Sequence, residues 1–224
     1  RGPWGSTYGR SEALWRSAGC PCIVRLPLFP LNAVLFPGTT LPLHIFEPRY
    51  REMVGRCLEH DETFGIALLL EGDEAGHPGT PHRIGTEAAI IASRRYPDGR
   101  YDIVVEGRRR FETVRLDRTR KLLRADVEFL KETLGRGADE TAQAVAALVE
   151  GVVETLEVKG QAGVDETWRD LDASSLSYRV AAILPATDAV KQELLEIPDA
   201  ATRLRREAKL LMSIRRIDAE AGAA

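Results

Sequence analysis

The sequence lacks the short motifs with which several large classes of enzymes bind phosphate, bind metal or activate a nucleophile. No glycine is followed by lysine anywhere in the 224 residues, which excludes a P-loop and its phosphate-binding lysine. His-Glu-x-x-His, Gly-x-Ser-x-Gly and Gly-x-Gly-x-x-Gly are absent as well. We therefore predict a protein that is not an enzyme, with no catalytic residues and no cofactor. The sequence does not exclude a hydrolase or transferase that lacks these motifs. Such an enzyme would need a deep pocket around a titratable side chain.

Cysteines and long apolar runs are also scarce. Cys20, Cys22 and Cys57 form an odd set that is typical of reduced thiols in a cytoplasmic protein, and the first two lack the second pair that a zinc site needs. The longest apolar runs, residues 66–70 and 180–184, are too short to cross a bilayer, so no membrane partner is expected. A formal net charge of −3 disfavours nucleic acid as a partner but leaves room for local basic patches.

Residues 1–22 differ from the rest of the chain. They are rich in glycine, serine and arginine and show no apolar periodicity. We interpret them as a flexible tail or a remnant of protein expression, and an organellar transit segment is the alternative.

The most informative stretch is apolar and interrupted by proline, at residues 25–50. Its prolines are Pro27, Pro30, Pro37, Pro42 and Pro48. Because proline fixes φ and lacks a backbone N–H, the stretch predicts short strands joined by bends, with a turn at Pro37-Gly38. A helix can begin only at Pro48, and the apolar spacing that follows predicts a helix over residues 48–60.

Strand and turn signals dominate up to residue 134, and helix signals dominate after it. Strands are predicted over residues 63–70, 83–96, 101–106 and 123–129, with a loop at 71–82, a turn at 97–99 and a strand break at Gly107. Helices are predicted up to about residue 159, over 172–184 and 187–196, and from 198 onward. The predicted class is α+β: a β-rich subdomain at 23–134, forming a small barrel or sandwich, followed by a helical bundle at 138–219.

The predicted loop at residues 71–82 contains four residue types that ligate metals. They are Asp73, Glu74, His77 and His82. A loop rich in glycine and proline does not hold three or four ligands in fixed geometry. We therefore predict a solvated turn and no metal site.

One group of candidate binding residues lies in the proline-interrupted stretch. Unpaired strand edges beside apolar side chains suit an extended, unfolded polypeptide. The candidate protein-binding residues are Leu31, Leu43, His44, Phe46, Glu47 and Tyr50. The alternative interpretation buries the apolar members in the core, makes His44 structural, and lets Glu47 and Tyr50 cap and anchor the helix.

A second group of candidates is rich in arginine. Arginines interleaved with Tyr96 and Tyr101 provide the phosphate contacts and stacking that RNA binding requires. The candidates are Arg94, Arg95, Arg100, Arg108, Arg109 and Arg110, which we expect to cluster across one hairpin. The alternative is that they pair with acidic residues on neighbouring strands.

The proline-rich opening also resembles a known family. LPLFPLNAVLFPG at residues 26–38 and LPLHIFEPRYREM at 41–53 are similar to the start of the Lon N-terminal domain, the substrate-recognition module of the ATP-dependent Lon protease. Residues 84–88, 98–100 and 105–111 add to the similarity, which extends over about residues 23–217. The resemblance implies a PUA-like β pseudo-barrel followed by a helical bundle, in the stand-alone form without ATPase or peptidase domains.

Together these features predict a non-enzymatic module that binds exposed apolar or unfolded polypeptide, as an adaptor or a weak holdase. The expected partners are such polypeptide segments and a protease or chaperone. An RNA-binding module using the arginine-rich hairpin is the alternative, by analogy with RNA-binding PUA-like proteins. A homo-oligomer is a further expectation, because the last helix has a wide apolar face formed by Leu210, Leu211, Ile214 and Ile217.

Overall fold

The computed structural model describes residues 23–70, 79–156 and 168–221, with side chains described for all of these except 151–156 and 214–221. Within them, strands are formed by Ile23–Leu31 (β1), Thr40–Ile45 (β2), Phe64–Leu68 (β3), Ile84–Arg95 (β4), Tyr101–Asp117 (β5) and Arg124–Phe129 (β6). Helices are formed by Pro48–His60 (α1), Ala138–Leu156 (α2), Ala173–Ile183 (α3), Asp188–Glu196 (α4) and Ala200–Ala221 (α5), with a 3₁₀ turn at Trp168–Asp170. The predicted α+β class is confirmed.

The strands form one sheet that closes on itself. Its order is β2-β5-β4-β3-β1-β6, and β5 also pairs with β6, so that five strands make a ring and β2 is attached outside it. In the described part of the chain β1 and β3 are parallel, and the other paired strands are antiparallel. The ring closes because β5 is 17 residues long: it pairs with β4 over residues 101–112, with β2 over 101–106 and with β6 over 111–117.

The strand break predicted at Gly107 is wrong, because β5 continues through this residue. Gly107 instead allows a close approach of two backbones. It accepts a hydrogen bond from the N–H of Gly38 at 2.8 Å and donates one to the carbonyl of Thr39 at 2.9 Å. A Cβ at position 107 would lie 2.2 Å from the carbonyl oxygen of Phe36. The predicted turn at Pro37-Gly38 is confirmed, with Gly38 at a φ of +71°.

Alternating side chains build the core of the β-rich part. In β5 the side chains of Tyr101, Ile103 and Val105 are buried. The predicted helix over residues 48–60 is confirmed as α1, which packs its apolar face against this set. Cys57 on that face is buried, and burial raises the pKa of its thiol to about 11, so the thiol is protonated at neutral pH.

Side-chain caps mark the first turns of α3 and α4. The carboxylate of Asp172 accepts hydrogen bonds from the N–H groups of Ser174 and Ser175 at the start of α3, and the Thr187 hydroxyl caps α4. The predicted end of the preceding helix near residue 159 lies outside the described residues. Among the described residues, no helix is both long enough and apolar enough to cross a bilayer.

The apolar face of α5 lies largely inside the protein. Leu211 is buried, and Leu210 packs against the core that α5 shares with α2 and α3. The side chains of Ile214 and Ile217 are outside the described set. Leu210 and Leu211 therefore do not support the self-association that we predicted from this face.

Arg110 corrects one prediction for the arginine-rich group. Its side chain is 2% exposed, so it cannot belong to an RNA-binding surface. Its guanidinium donates at 2.7–3.1 Å to the backbone carbonyls of Leu195, Ile197 and Pro198, between α4 and α5. It also pairs with Glu132 at 2.9 Å. Arg110 thus joins the sheet to the helices.

A second arginine, Arg203 of α5, reaches the same carboxylate. It is fully buried and pairs with Glu132 at 2.7 Å. Its Nε donates to the hydroxyl of Ser177 at 2.6 Å, and that hydroxyl donates to Glu207 at 2.8 Å. The second carboxyl oxygen of Glu207, Oε2, is buried without a hydrogen-bond partner among the described residues. Burial raises the pKa of Glu207 to about 8 despite the hydrogen bond from Ser177 and the nearby charge of Arg203.

We predict that Gly107→Ala destabilises the protein by about 2 kcal/mol or more, because the new Cβ overlaps a backbone carbonyl that cannot move independently. Gly55→Ala is the matched control: its Cβ would meet the Tyr101 hydroxyl at an ordinary 3.7 Å, within α1. This control should stabilise the protein by up to about 1 kcal/mol, since alanine favours helix. Urea unfolding measures both values, and a Gly107→Ala variant as stable as the wild type would contradict the close approach.

The raised pKa of Glu207 predicts a pH-dependent loss of stability. Between the ordinary pKa of a glutamate and about 8, the unfolded chain ionises this carboxyl while the folded chain keeps it protonated. The free energy of unfolding therefore falls as pH rises through this window, by about 1.4 kcal/mol for each pKa unit. Glu207→Gln removes the effect, so the stability of the variant relative to the wild type should be greater at pH 8 than at pH 5.

Urea titrations at both pH values measure this difference. Glu193→Gln is the control, because the Glu193 side chain is 64% exposed and the substitution should give the same small change at both pH values. A Glu207→Gln effect that is equal at pH 5 and pH 8 would refute the shifted pKa.

Candidate functional site

The register of three neighbouring strands brings together residues that are distant in the sequence. His44 in β2 lies opposite Asp102 in β5, and Asp102 lies opposite Arg94 in β4. The adjacent row along the same strands consists of Pro42, Val104 and Ala92. With Phe46 and Tyr96, which follow β2 and β4, these residues make up what we call the open face: Pro42, His44, Phe46, Ala92, Arg94, Tyr96, Asp102 and Val104.

The open face is the solvent side of the sheet at this end. Residues of β5 alternate between buried and partly exposed, so that Ile103 points to the core and Asp102 and Val104 point away from it. The same alternation in β2 exposes Pro42 and His44 and buries Ile45. The pattern was readable from the sequence of β5, but the pairing that aligns β2 with it was not.

Asp102 is the electrostatic centre of the open face. The hydroxyl of Tyr96 donates a hydrogen bond to one carboxyl oxygen, and Nδ1 of His44 lies 2.6 Å from the other. These two hydrogen bonds, that of Tyr96 first, lower the pKa of Asp102. The same bond to Asp102 raises the pKa of the Tyr96 hydroxyl. Arg94 adds its positive charge beside them, with its guanidinium 5.2 Å from the centre of the Tyr96 ring.

Aromatic and apolar side chains flank this polar row. Phe46 is 62% exposed and stacks beside the His44 ring, with 6.3 Å between ring centres. Tyr96 approaches that ring edge-on, at the same centre-to-centre distance. A shallow groove of about 560 Å³ runs over the three strands, with Pro42 and Val104 in its lining. An exposed phenylalanine beside such a groove favours contact with an apolar side chain.

The open face does not have the parts of a nucleophilic active site. Ser93 is a hydroxyl residue in the lining of the groove. Because side chains alternate along a strand, its side chain points to the opposite face of β4 from that of Arg94. In the described part of the chain no hydrogen bond connects its hydroxyl to His44. The His44–Asp102 pair therefore lacks the hydrogen-bonded nucleophile that acyl transfer would require.

Strand β2 has a free edge next to the open face. Among the described residues it pairs with β5 alone. Gly107 of β5 donates to the carbonyl of Thr39, so residues 41, 43 and 45 bond to β5, whereas Thr40, Pro42 and His44 direct their backbone groups outward. Because proline has no N–H, this edge offers the N–H groups of Thr40 and His44 and the carbonyls of all three residues.

The other predicted protein-binding residues are not part of the open face, and several of them are buried or partly buried. Tyr50 is 5% exposed and stacks on Phe29 in the core, so the prediction that it contacts a partner is wrong. Leu31 and Leu43 are partly buried against the same core. Glu47 precedes α1 but makes no capping hydrogen bond with its side chain; it pairs instead with Arg49 at 2.9 Å.

The arginine-rich group does not form one cluster. Arg94, Arg95 and Arg100 lie at the tip of the β4–β5 hairpin and approach the rings of Tyr96 and Tyr101. Arg108, Arg109 and Arg110 lie six to eight residues farther along β5 than Asp102, which corresponds to about 20–26 Å. The predicted cluster across one hairpin is therefore wrong for these three residues.

Several of the exposed arginines pair with acidic residues, but of the pairs that follow only Arg109–Glu87 joins neighbouring strands as the alternative interpretation predicts. Arg100 contacts Asp98 at 2.7 Å, and Arg108 contacts Glu106 at 2.8 Å. Arg109 pairs with Glu87 at 2.7 Å and lies over the ring of Phe129. Charge pairing of this kind leaves less positive potential for a phosphate backbone.

The predicted loop at 71–82 is described only in part. Asp73, Glu74 and His77 lie outside the described residues, and so do Cys20 and Cys22. His82 is described, and its Nδ1 lies 3.4 Å from Glu196. No group of three or more metal-ligating side chains occurs among the residues that the structure covers.

Comparison with known proteins agrees with this architecture. Residues 25–213 match the family described as the ATP-dependent protease La (LON) substrate-binding domain. A Lon protease of Parabacteroides distasonis is 29% identical over 188 residues, which are 80% of this chain and 22% of that protein. A Lon protease of Methylocella silvestris is 30% identical over 182 residues, again 22% of its length. The chain thus spans under a quarter of the length of these relatives.

Two solved structures share the fold. The Lon N-terminal domain protein from Xanthomonas campestris has a TM-score of 0.63 and 27% identity, over 82% of this chain and 96% of that one. The N-terminal domain of the Mycobacterium avium complex Lon protease has a TM-score of 0.68 and 20% identity, over 84% of this chain and 98% of that one. With the match over residues 25–213, these likenesses lead to one conclusion: the chain belongs to the Lon substrate-binding domain family.

Proposed function

We propose that this chain is a non-enzymatic module that recognises exposed apolar or unfolded polypeptide segments, and that the open face and the free edge of β2 form its binding site. The observation that carries the proposal is the 62% exposure of Phe46 beside a groove at a free strand edge. Membership of a substrate-binding family supports it. A role as an adaptor or a weak holdase, with a protease or chaperone as partner, belongs to the same proposal.

The free edge supports recognition of an extended segment. A strand that adds to β2 gains backbone hydrogen bonds at Thr40 and His44, which do not depend on the sequence of the segment. At Pro42 the added strand finds a carbonyl acceptor but no N–H donor. It therefore forms fewer hydrogen bonds there than with an ordinary strand edge. Phe46 and the groove then contact alternate side chains of the segment, which favours apolar ones.

The fold supports a finer description as a PUA-like pseudo-barrel followed by a helical bundle. The closed ring of five strands and the packing of α2, α3 and α5 agree with that description. The division into subdomains at residues 23–134 and 138–219 is part of the proposal as well, although Arg110 and Arg203 bind the two parts together through Glu132.

RNA binding is the second candidate, and one observation favours it. Arg94 and Arg100 both lie within 6 Å of the Tyr96 ring centre, at 5.2 and 5.8 Å, on an exposed hairpin tip. Phosphate contacts beside a stacking ring are what single-stranded RNA requires. The acidic groups of Asp98 and Asp102 in the same tip weigh against it.

Phe46→Ala tests the leading proposal. It should weaken binding of a reduced, carboxymethylated protein that cannot fold by about tenfold, since a buried phenylalanine contributes about 1.5–3 kcal/mol. The melting temperature should stay the same, because the ring is largely exposed in the free protein. Met212→Ala, which removes an apolar side chain of similar exposure (57%) from α5, should leave binding unchanged. Fluorescence anisotropy of the labelled unfolded protein measures each affinity.

The same assay separates the two candidates. A structured RNA added as competitor should not displace the polypeptide, and Arg94→Glu should not abolish polypeptide binding. If instead the chain retains RNA, with an affinity that falls steeply with salt and is lost in Arg94→Glu, while Phe46→Ala changes nothing, RNA binding replaces polypeptide recognition as the function.

A further inference from the structure

A basic cavity lies between α1 and the connection from β5 to β6, separate from the open face. Its volume is about 340 Å³. One wall is the face of α1 on which Arg49, Glu52, Met53 and Arg56 follow at helical spacing. The other wall consists of Arg120, Lys121, Leu122 and Arg124. Met53, which is 2% exposed, closes the floor.

The charge of this cavity is strongly positive in a chain that is negative overall. Among the described residues, its lining contains the cations Arg49, Arg56, Arg120, Lys121 and Arg124 and a single carboxylate, that of Glu52. The formal net charge of the whole chain is −3. The concentration of cations is therefore a local feature, and it creates a positive potential that attracts anions.

Three of these five cations have no acidic partner among the residues that the structure describes. Arg49 pairs with Glu47 at 2.9 Å, and Arg56 pairs with Glu62 at 3.1 Å. No ion pair is formed by Arg120, Lys121 or Arg124 with any acid in the described part of the chain. The Nε of Arg124 is in addition buried without a hydrogen-bond acceptor.

An unsatisfied buried donor on a charged group is costly, and three cations without partners repel one another. An anion that enters the cavity would offset the repulsion and accept hydrogen bonds from the exposed side chains of Arg120 and Lys121, which line the cavity beside Arg124. The lining thus has the donors and the charge of an anion-binding site.

We propose that the cavity binds a phosphate monoester group. A phosphate monoester carries nearly two negative charges and three strong acceptor oxygens, which match several cations better than the single charge of a carboxylate does. Guanidinium groups bind phosphate through paired N–H donors, and four of the five cations are arginines. The cavity holds one such group rather than a length of nucleic acid. The group belongs either to a phosphorylated polypeptide or to a free phosphate.

Calorimetric titration of the full chain tests the proposal with three peptides that differ at one residue: phosphoserine, serine and glutamate. The phosphoserine peptide should bind at least tenfold more tightly than the other two, and its affinity should fall as salt rises. The double substitution Arg120→Gln and Lys121→Gln should weaken it at least tenfold. These two side chains are exposed and make no described contact, so the fold should persist.

Arg124→Gln should weaken binding as well, and Arg83→Gln is the control. Arg83 is an exposed arginine that pairs with Glu112 and lies outside the cavity, so its loss should leave binding unchanged. Inorganic phosphate serves as a competitor of the phosphoserine peptide. If it displaces the peptide at the same concentration at which it binds the chain by itself, the result supports a free phosphate as the ligand. Phosphate that binds far more weakly than the peptide supports a phosphorylated polypeptide.

Three results would overturn the inference. The first is that the serine peptide binds as tightly as the phosphoserine peptide, and the second is that the glutamate peptide does so. The third is that the double variant binds the phosphoserine peptide as tightly as the wild type. Because Phe46→Ala leaves this cavity intact, its effect on unfolded polypeptide is independent, and failure of one proposal does not imply failure of the other.

Discussion

The structure depends on one carboxylate that two buried arginines share. Glu132 accepts from Arg110 of β5 and from Arg203 of α5, at 2.9 and 2.7 Å. Both guanidinium groups are almost or completely buried, so their charges must be met inside the protein. Loss of the shared carboxylate would leave two buried cations, and breaking a buried pair costs about 3–5 kcal/mol. The shared carboxylate therefore links α5 to β5.

That junction also determines how the candidate site is presented. Arg110 lies near the middle of β5, and the same strand begins at the β4–β5 hairpin, where Asp102 binds His44 and Tyr96. One continuous strand therefore connects the helices to the open face. Because β5 pairs with β2, β4 and β6, the open face rests on a well-supported part of the sheet, while β2 keeps one edge free.

Much of the fold was predictable from local patterns. The helix at residues 48–60 follows from proline at its first position and an apolar stripe, and the inward side of β5 follows from strict alternation. The failures have physical causes. Gly107 is a glycine because a second backbone passes close to it, and sequence alone cannot distinguish this from a strand break.

The candidate site was harder to predict, since it is assembled by strand register. His44 and Asp102 are 58 residues apart, and no local pattern indicates that they are paired. Arg108, Arg109 and Arg110 look alike in the sequence, yet Arg110 is a buried junction residue and its neighbours are surface ion pairs. Tyr50 and Phe46 are both aromatic residues of one apolar stretch, and only the packing of α1 shows which of them is exposed.

Chemical-shift mapping shows whether the open face contacts unfolded polypeptide. Unfolded, unlabelled polypeptide is titrated into the ¹⁵N-labelled chain, and backbone amide shifts are followed. We predict that the largest changes occur at residues 40–46, 91–96 and 100–104, which surround the free edge and the hairpin. Changes confined to the helices α2 to α5, or no changes at concentrations where binding is measured independently, would contradict it.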